Sequence, residues 1–493
     1  MDLSSRLRAI VKGGSSRPAA GQDGGGLREL TYEPDSGGYE AVMDIARVGA
    51  LLGGRVAETD FGQCLVIDRR YEADRFHGTI RVGDCDLEDG DALGILDPAL
   101  RSCEQSSDRG QTPVAELHTC EQSPDRGQTP VGQLRTFPRT VFIDLETTGL
   151  SGGAGTLAFL VGCGYFDLGA FQVRQFLLTS HAAERALLSA VAEFFDGAGL
   201  IVTYNGKTFD VPVMETRWMF HRLRMPLADV PHFDMLHPAR RLWRSRAGAG
   251  GDIEEAGCRL STLEQTLFDV TRVGDVPGLE IPGRFFRFLR SGDPRPLEPV
   301  LEHNRLDLVS LAAVMARGMQ LARGGALSCR DGAEALALGR VYERAGALDR
   351  AEVCYSCAVD SDRPEVKGEA LYRLGLRHRR ERRFAEAADS WRAIIELTDS
   401  RSVRAMARLA DVRQFATEAL AIHHEHRERD LDGARELALF ALKDGAGARE
   451  DGMRHRLARI DRKISEKLTR RVPGKFGRGR QAGKTRDAQL FSS

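Results

Sequence analysis

An α/β domain, with a mixed sheet flanked by helices, followed by an all-α domain of helical repeats is the architecture that the sequence predicts. Three observations carry it. From residue 139 short apolar runs of strand length give way to segments with helical spacing. The strand-like segments come first and the helices then interleave, which is the order of a mixed sheet covered by helices. From about 332 every segment is helical, and two of them align at a spacing of 36 residues. With 493 residues and 42% hydrophobic content, the chain is long enough for two or three domains.

The elements follow in order. Residues 1–26 are rich in Gly and Ser and are expected to be disordered. Residues 27–100 form a small N-terminal region in which "CLVIDRRY" and "HGTIRV" read as short strands. Within 101–138, "CEQSSDRGQTPVAELHT" is followed by "CEQSPDRGQTPVGQLRT". Two polar copies have no face to bury, so this duplication reads as a linker. The central domain spans 139–325. "TVFIDLE", "TLAFLVGCGYF" and "FQVRQFLL" read as strands, the last two joined at Asp167-Leu168-Gly169. Then come a helix in "AAERALLSAVAEFF", the buried strand "GLIVTY" and a helix in "FDVPVMETRWMFHRL". Further helices are expected at 259–268, capped by Ser261 or Thr262, and at 297–319, with a glycine-rich surface loop at 246–257.

Residues 330–460 read as helical hairpins. Leu338-Gly339 aligns with Leu374-Gly375, Ala351 with Ala387, and Tyr355 with Trp391. Small residues are expected where the two helices of a hairpin approach, and large ones where the next hairpin packs. This pattern resembles a tetratricopeptide (TPR) array; a weaker third copy runs through "ALAIHHEHRERDLDGARELALFAL". Residues 461–493 are expected to be a basic disordered tail able to hold phosphates.

The net charge of −1 means that the molecule as a whole is not committed to nucleic acid. No apolar run is long enough for a membrane span, and the N-terminus lacks the apolar core of a signal peptide. Nine scattered cysteines without metal-site spacing suggest reduced thiols. Together these imply a cytoplasmic protein.

The chemistry lies in three motifs. In "FIDLETTGL" two acids, Asp144 and Glu146, share one face of a strand. Like charges at the edge of a core repel, and burial opposes ionisation; a divalent cation removes both difficulties. In "YNGKTFD", Asn205 ends a strand and Asp210 opens the next helix. Taken alone, Asp210 is an acid at a helix start and Asn205 a turn residue or cap. In "EHNRLDLVSL", His303 and Asp307 are one helical turn apart and share a face. Gly152, Gly153 and Gly155 lack the following Lys-Ser/Thr of a P-loop. His423, His424 and His426 read as a solvated helix face, because neighbouring helix positions point different ways.

Taken together, D-x-E, N-x-x-x-F-D and H-x-x-x-D resemble the DEDD (DnaQ-like) nuclease superfamily with its ribonuclease H-like fold. The segments 232–243 and 258–268, with the helical repeats, extend the likeness to the YprB-like bacterial proteins. The resemblance is strong over 139–319, weaker over 332–445, and does not reach 1–100. His303 matches one branch of the superfamily in identity, where the His stands five residues before the last Asp. It matches another in spacing, where a Tyr stands four before it.

The resemblance implies a metal-dependent 3′–5′ exonuclease acting on single-stranded DNA or RNA. Two Mg²⁺ or Mn²⁺ ions would sit between Asp144, Glu146, Asp210 and Asp307, with His303 as the base. Thr147, Thr148 and Gly149 would offer backbone amides to a terminal nucleotide, and Asn205 and Lys207 would lie beside the nucleic acid; Asp234 reads as an outer acid or a helix cap. The repeats imply a protein partner. Two other readings stand beside this one: a non-catalytic nucleic-acid-binding scaffold whose repeats recruit that partner, and a structure-selective endonuclease.

Overall fold

The computed structural model describes residues 43–87, 89–100, 139–149, 155–244, 258–399, 407–443 and 449–471. The N-terminal 1–26, the duplicated linker, the loop at 246–257, Gly152, Gly153 and the chain beyond 471 lie outside these.

Nine strands are present among the described residues: β1 (Arg55–Thr59), β2 (Gly62–Tyr71), β3 (Phe76–His77), β4 (Ile80–Arg81), β5 (Arg139–Thr147), β6 (Ala158–Asp167), β7 (Ala170–Leu177), β8 (Ala198–Thr203) and β9 (His232–Asp234). Seven form one sheet in the order β1-β2-β7-β6-β5-β8-β9, and β3 and β4 form a small separate hairpin. Neighbours are antiparallel from β1 to β5 and parallel from β5 through β8 to β9. The sheet is therefore mixed, as expected, and β5 is where its sense changes. The region before residue 100, whose role the sequence left open, supplies the two outer strands β1 and β2 of this same sheet.

Helices α1 (Ile45–Leu52), α2 (Gly90–Leu96), α3 (Glu184–Phe194), α4 (Asp210–Phe220), α5 (Leu236–Trp243), α6 (Leu260–Phe268), α7 (Ile281–Ser291) and α8 (Glu298–Gly324) cover the sheet. Helix α6 starts at Leu260 with Arg259 at its cap, so neither Ser261 nor Thr262 caps it. Strand alternation sorts the side chains of β5. Val141, Ile143 and Leu145 enter one core with residues of α3, α4 and α7. Phe142 enters another with Leu308, Leu311 and Ala312 of α8. Asp144 and Glu146 share Phe142's face, the one that α8 covers.

That second core does not stop at the sheet. It continues along α8 into α9 (Gly332–Arg344), α10 (Leu348–Val359) and α11 (Pro364–Arg380), taking in Leu338, Tyr342, Tyr355 and Leu374. Glu334, almost fully buried, fastens the junction. Its carboxylate accepts hydrogen bonds from Trp243 Nε1 (3.0 Å), Arg317 Nη2 (2.8 Å) and the Arg330 amide (2.8 Å).

The remaining helices are α12 (Phe384–Leu397), α13 (Ala407–His423), α14 (Leu431–Lys443) and α15 (Glu450–Arg471). Helices α9 with α10 and α11 with α12 pair as the 36-residue spacing suggested. The aligned glycines sit where the two helices of one hairpin approach, as expected of small residues. A Cβ at Gly339 would lie 2.5 Å from the Tyr355 ring, and one at Gly375 would lie 2.4 Å from the Trp391 ring. Each large ring thus fills the gap left by the glycine of its own hairpin. Trp391 also meets the next helix through Phe415, with ring centroids 5.4 Å apart. Gly375→Ala is expected to lower stability by about 1–3 kcal/mol through overpacking, despite alanine's better helix propensity. Thermal unfolding followed by circular dichroism tests this; an unchanged or raised Tm would contradict the packing.

Residues 461–471, expected to belong to a basic disordered tail, instead form the last turns of α15. Buried Glu425 holds it there, accepting from Arg456 (3.0 Å), Arg459 (2.7 Å) and Lys463 (2.7 Å). No helix among the described residues is long and apolar enough to cross a membrane.

Candidate nuclease site

The oily, β-branched start of β5 makes it a central strand, and its end carries the acids. At Glu146/Thr147 its register against β6 shifts, so the pairing breaks beside the second acid. The chain then closes back on β6. Thr147 Oγ1 donates to the Gly149 carbonyl (2.8 Å), the Thr148 amide donates to the Leu157 carbonyl (3.0 Å), and the Leu157 amide donates to Thr148 Oγ1 (3.0 Å). Thr147, Thr148 and Gly149 therefore shape the turn next to Glu146.

Asp210 arrives from the parallel side of the sheet. Strand β8 ends at Thr203, and the turn that follows puts Asn205 in the left-handed region, at φ 70°. Gly206 has no room for a side chain, since a Cβ there would lie 2.4 Å from Thr203 Oγ1. Buried Asp234, at the end of β9, accepts from the amides of Asn205 (2.8 Å), Lys207 (3.1 Å) and Leu236 (3.1 Å). It thus holds the first amide of α5 and pins the turn at once. Asn205 Oδ1 accepts from Thr208 Oγ1 (2.6 Å), and Lys207 Nζ reaches Asp97 Oδ2 at 3.5 Å. The chain then enters α4 with Asp210 as its first residue. The Asp210 carboxylate lies near its own amide and that of Leu145, between the two acids of β5, and both favour its charged form.

Helix α8 brings the rest. Asn304 is fully buried, and its Nδ2 donates to the Asp144 carbonyl (3.1 Å) and to Asp144 Oδ2 (2.8 Å). Its Oδ1 accepts from Gln175 Nε2 (2.8 Å), which also donates to the Leu301 carbonyl (2.8 Å). Gly162, paired with Asp144 across β5 and β6, makes the space: a Cβ there would lie 2.2 Å from Asn304 Oδ1. Asp307 Oδ1 meets Arg272 Nη2 at 2.5 Å, and its Oδ2 lies 3.6 Å from His303 Nε2. Arg272 is braced by Glu264 at 2.6 and 2.9 Å.

The structure thus brings Asp144, Glu146, Asp210, Asp307 and His303 to one place. Their electrostatics show how closely. Burial, then the charges of Asp307, Glu146 and Asp210, pushes the Asp144 carboxyl well above its ordinary range, against the hydrogen bond from Asn304. Burial, then Asp307 and Asp210, does the same to Glu146. Burial raises Asp210 to about 7, with Asp234 and Asp307 adding to it and the two nearby amides opposing. Arg272 stays charged despite its burial, because Glu264 and Asp307 hold it so. A donor set made of carboxylate oxygens, each disfavouring its neighbours' charge, fits a hard divalent cation. The acids are near neighbours rather than a closed cage. Among the described residues, the trio with ligand atoms all within 4.8 Å of one another is His424, Glu428 and Asp430, between α13 and α14.

Several contributors escaped the reading of the motifs. Asn304 occupies an inward position of the stripe Leu301, Asn304, Leu308, Leu311, and Gln175 one of the alternating series Phe171, Val173, Gln175, Leu177. A polar residue at such a position was the available signal. Arg272 and Asp275 sit between α6 and α7, where no periodicity marks them.

This fold and its acids define an RNase H-superfamily nuclease domain, which implies a nucleic-acid substrate and divalent metal. The family described as RNase_H superfamily matches residues 141–318. The chain is 31% identical to "Uncharacterized protein YprB" of Bacillus subtilis (strain 168) over 328 residues, covering 66% of this chain and 75% of that protein. The chain belongs to the YprB family of RNase H-like proteins.

Proposed function

We propose that this protein is a 3′–5′ exonuclease acting on single-stranded DNA or RNA, with two Mg²⁺ or Mn²⁺ ions held by Asp144, Glu146, Asp210 and Asp307. The observation that carries this reading is the convergence of four carboxylates from β5, α4 and α8, three of them with raised pKa values. When bound, the ions supply positive charge that activates a water and stabilises the departing 3′ oxygen. His303 takes the water's proton at Nε2, the nitrogen on the Asp307 side. Asn304 keeps the Asp144 carboxylate in place throughout. The turn at Thr147, Thr148 and Gly149 lies next to Glu146, where a terminal nucleotide would sit, and Asn205 and Lys207 border the same end of the sheet. An exposed ion pair such as Lys207–Asp97 is worth little, so Lys207 is available to a phosphate. The helical hairpins, in this reading a TPR-like array, offer a surface for a protein partner.

End-labelled linear and circular single strands, incubated with Mn²⁺ or with EDTA, test the reading. Linear strands should be shortened from the 3′ end with Mn²⁺ alone, and circles should survive. Cleaved circles would make the protein an endonuclease, and no metal-dependent product would refute the proposal.

A further inference from the structure

We propose that Asp275 is the positioning residue that fixes the tautomer and orientation of His303; this rests on His303 acting as the base. His303 lies on a continuous helix, so its backbone is fixed, but its ring has several staggered orientations open to it. The side chain selects one through its Nδ1, 2.6 Å from Asp275 Oδ1. A carboxylate accepts and does not donate, so Nδ1 carries the proton in the neutral ring, and the lone pair falls to Nε2. Nε2 is the nitrogen that faces Asp307, at 3.6 Å.

Asp275 is itself held on two sides. The Val276 amide donates to Oδ1 (2.9 Å), and Arg272 Nη1 lies 3.4 Å from Oδ2. The same buried guanidinium binds Asp307 and Glu264, so one arginine sets the spacing between the base, its orienting acid and the last metal-binding acid. This frame also accounts for His303 standing only four residues before Asp307. On a helix that spacing puts both side chains on one face, and a residue from outside the helix must then aim the ring.

The test uses the full chain, linear single strands and saturating Mn²⁺. Asp275→Ala should lower kcat about 10–100-fold, the usual cost of losing an outer partner of a reacting group, with KM changed less than about threefold. Asp275→Asn, whose Oδ1 still accepts from Nδ1–H, should restore most of the rate. In a His303→Ala background, Asp275→Ala should cost nothing further. ¹⁵N-histidine spectra at pH 9 should show the Nδ1–H tautomer for His303 in the wild type and its loss in Asp275→Ala. Additive losses, no recovery with Asn, or an unchanged tautomer would overturn the proposal. So would loss of Mn²⁺ binding in Asp275→Ala, which would make Asp275 a ligand. If the wild type cleaves nothing, the exonuclease reading fails, while the tautomer spectra still decide what Asp275 does.

Discussion

Asp144→Asn should reduce Mn²⁺-dependent cleavage by about a thousandfold or more while leaving the protein folded. Asp144 stands where the arrangement is least replaceable. It lies on the strand at which the sheet changes sense, and three other carboxylates act on it electrostatically. Asparagine has the same shape, and its oxygen can keep the hydrogen bond from Asn304, so the substitution removes charge and little else. A thousandfold loss is about 4 kcal/mol of transition-state stabilisation, a modest share for one of four acids that bind the ions. Rates on an end-labelled strand, with circular dichroism to confirm folding, check this. Cleavage that persists in Asp144→Asn would remove the acid from the chemistry.

The second large effect is on stability. Asp210 has a folded-state pKa of about 7 against an ordinary 3.8. Between those values the native state binds more protons than the unfolded chain, so stability contributed by this group falls as pH rises. It is fully present below about pH 4 and lost as pH passes through about 7. Half-buried His77 and His232, both lowered to about 4 mainly by desolvation, act in the opposite sense below about pH 6.5. Comparison with a variant cancels them. In EDTA, Asp210→Asn should be more stable than the wild type at pH 8, and the difference should widen by about 3 kcal/mol between pH 5 and pH 8. Adding Mn²⁺ at pH 8 should reverse the order, because the ion then stabilises only the protein that binds it well. Urea unfolding at the two pH values reads this directly; a pH-independent difference would mean that Asp210 is not held near neutrality.

The sites that sequence made visible are those written in local patterns. Asp144 and Glu146 could be placed on one face because a strand alternates, and His303 and Asp307 because a helix turns every 3.6 residues. The hairpins were visible because Gly339 and Gly375 recur in register. What was not visible depends on which elements meet. Asn304 became part of the site only when α8 was laid over Gly162, and nothing local says that a glycine 142 positions earlier makes its cradle. Arg272 and Asp275 sit in irregular chain, and their roles come from side-chain reach across to α8. The same limit explains β1 and β2. Their alternation marked the second as a strand, but its pairing with β7 lies more than a hundred residues away in sequence. It also explains the helix through 461–471, whose basic composition alone predicts a tail, whereas Glu425, far away in sequence, binds Arg456, Arg459 and Lys463 of the same helix.

The central claim is that four carboxylates form one divalent-metal centre. Titration of the metal-free protein with Mn²⁺ at pH 8, followed by electron paramagnetic resonance of the free ion, tests it most directly. Two bound ions per chain are predicted for the wild type, with at least one lost in Asp144→Asn and in Asp307→Asn. Retention of both ions in the two variants, or no binding by the wild type, would contradict it.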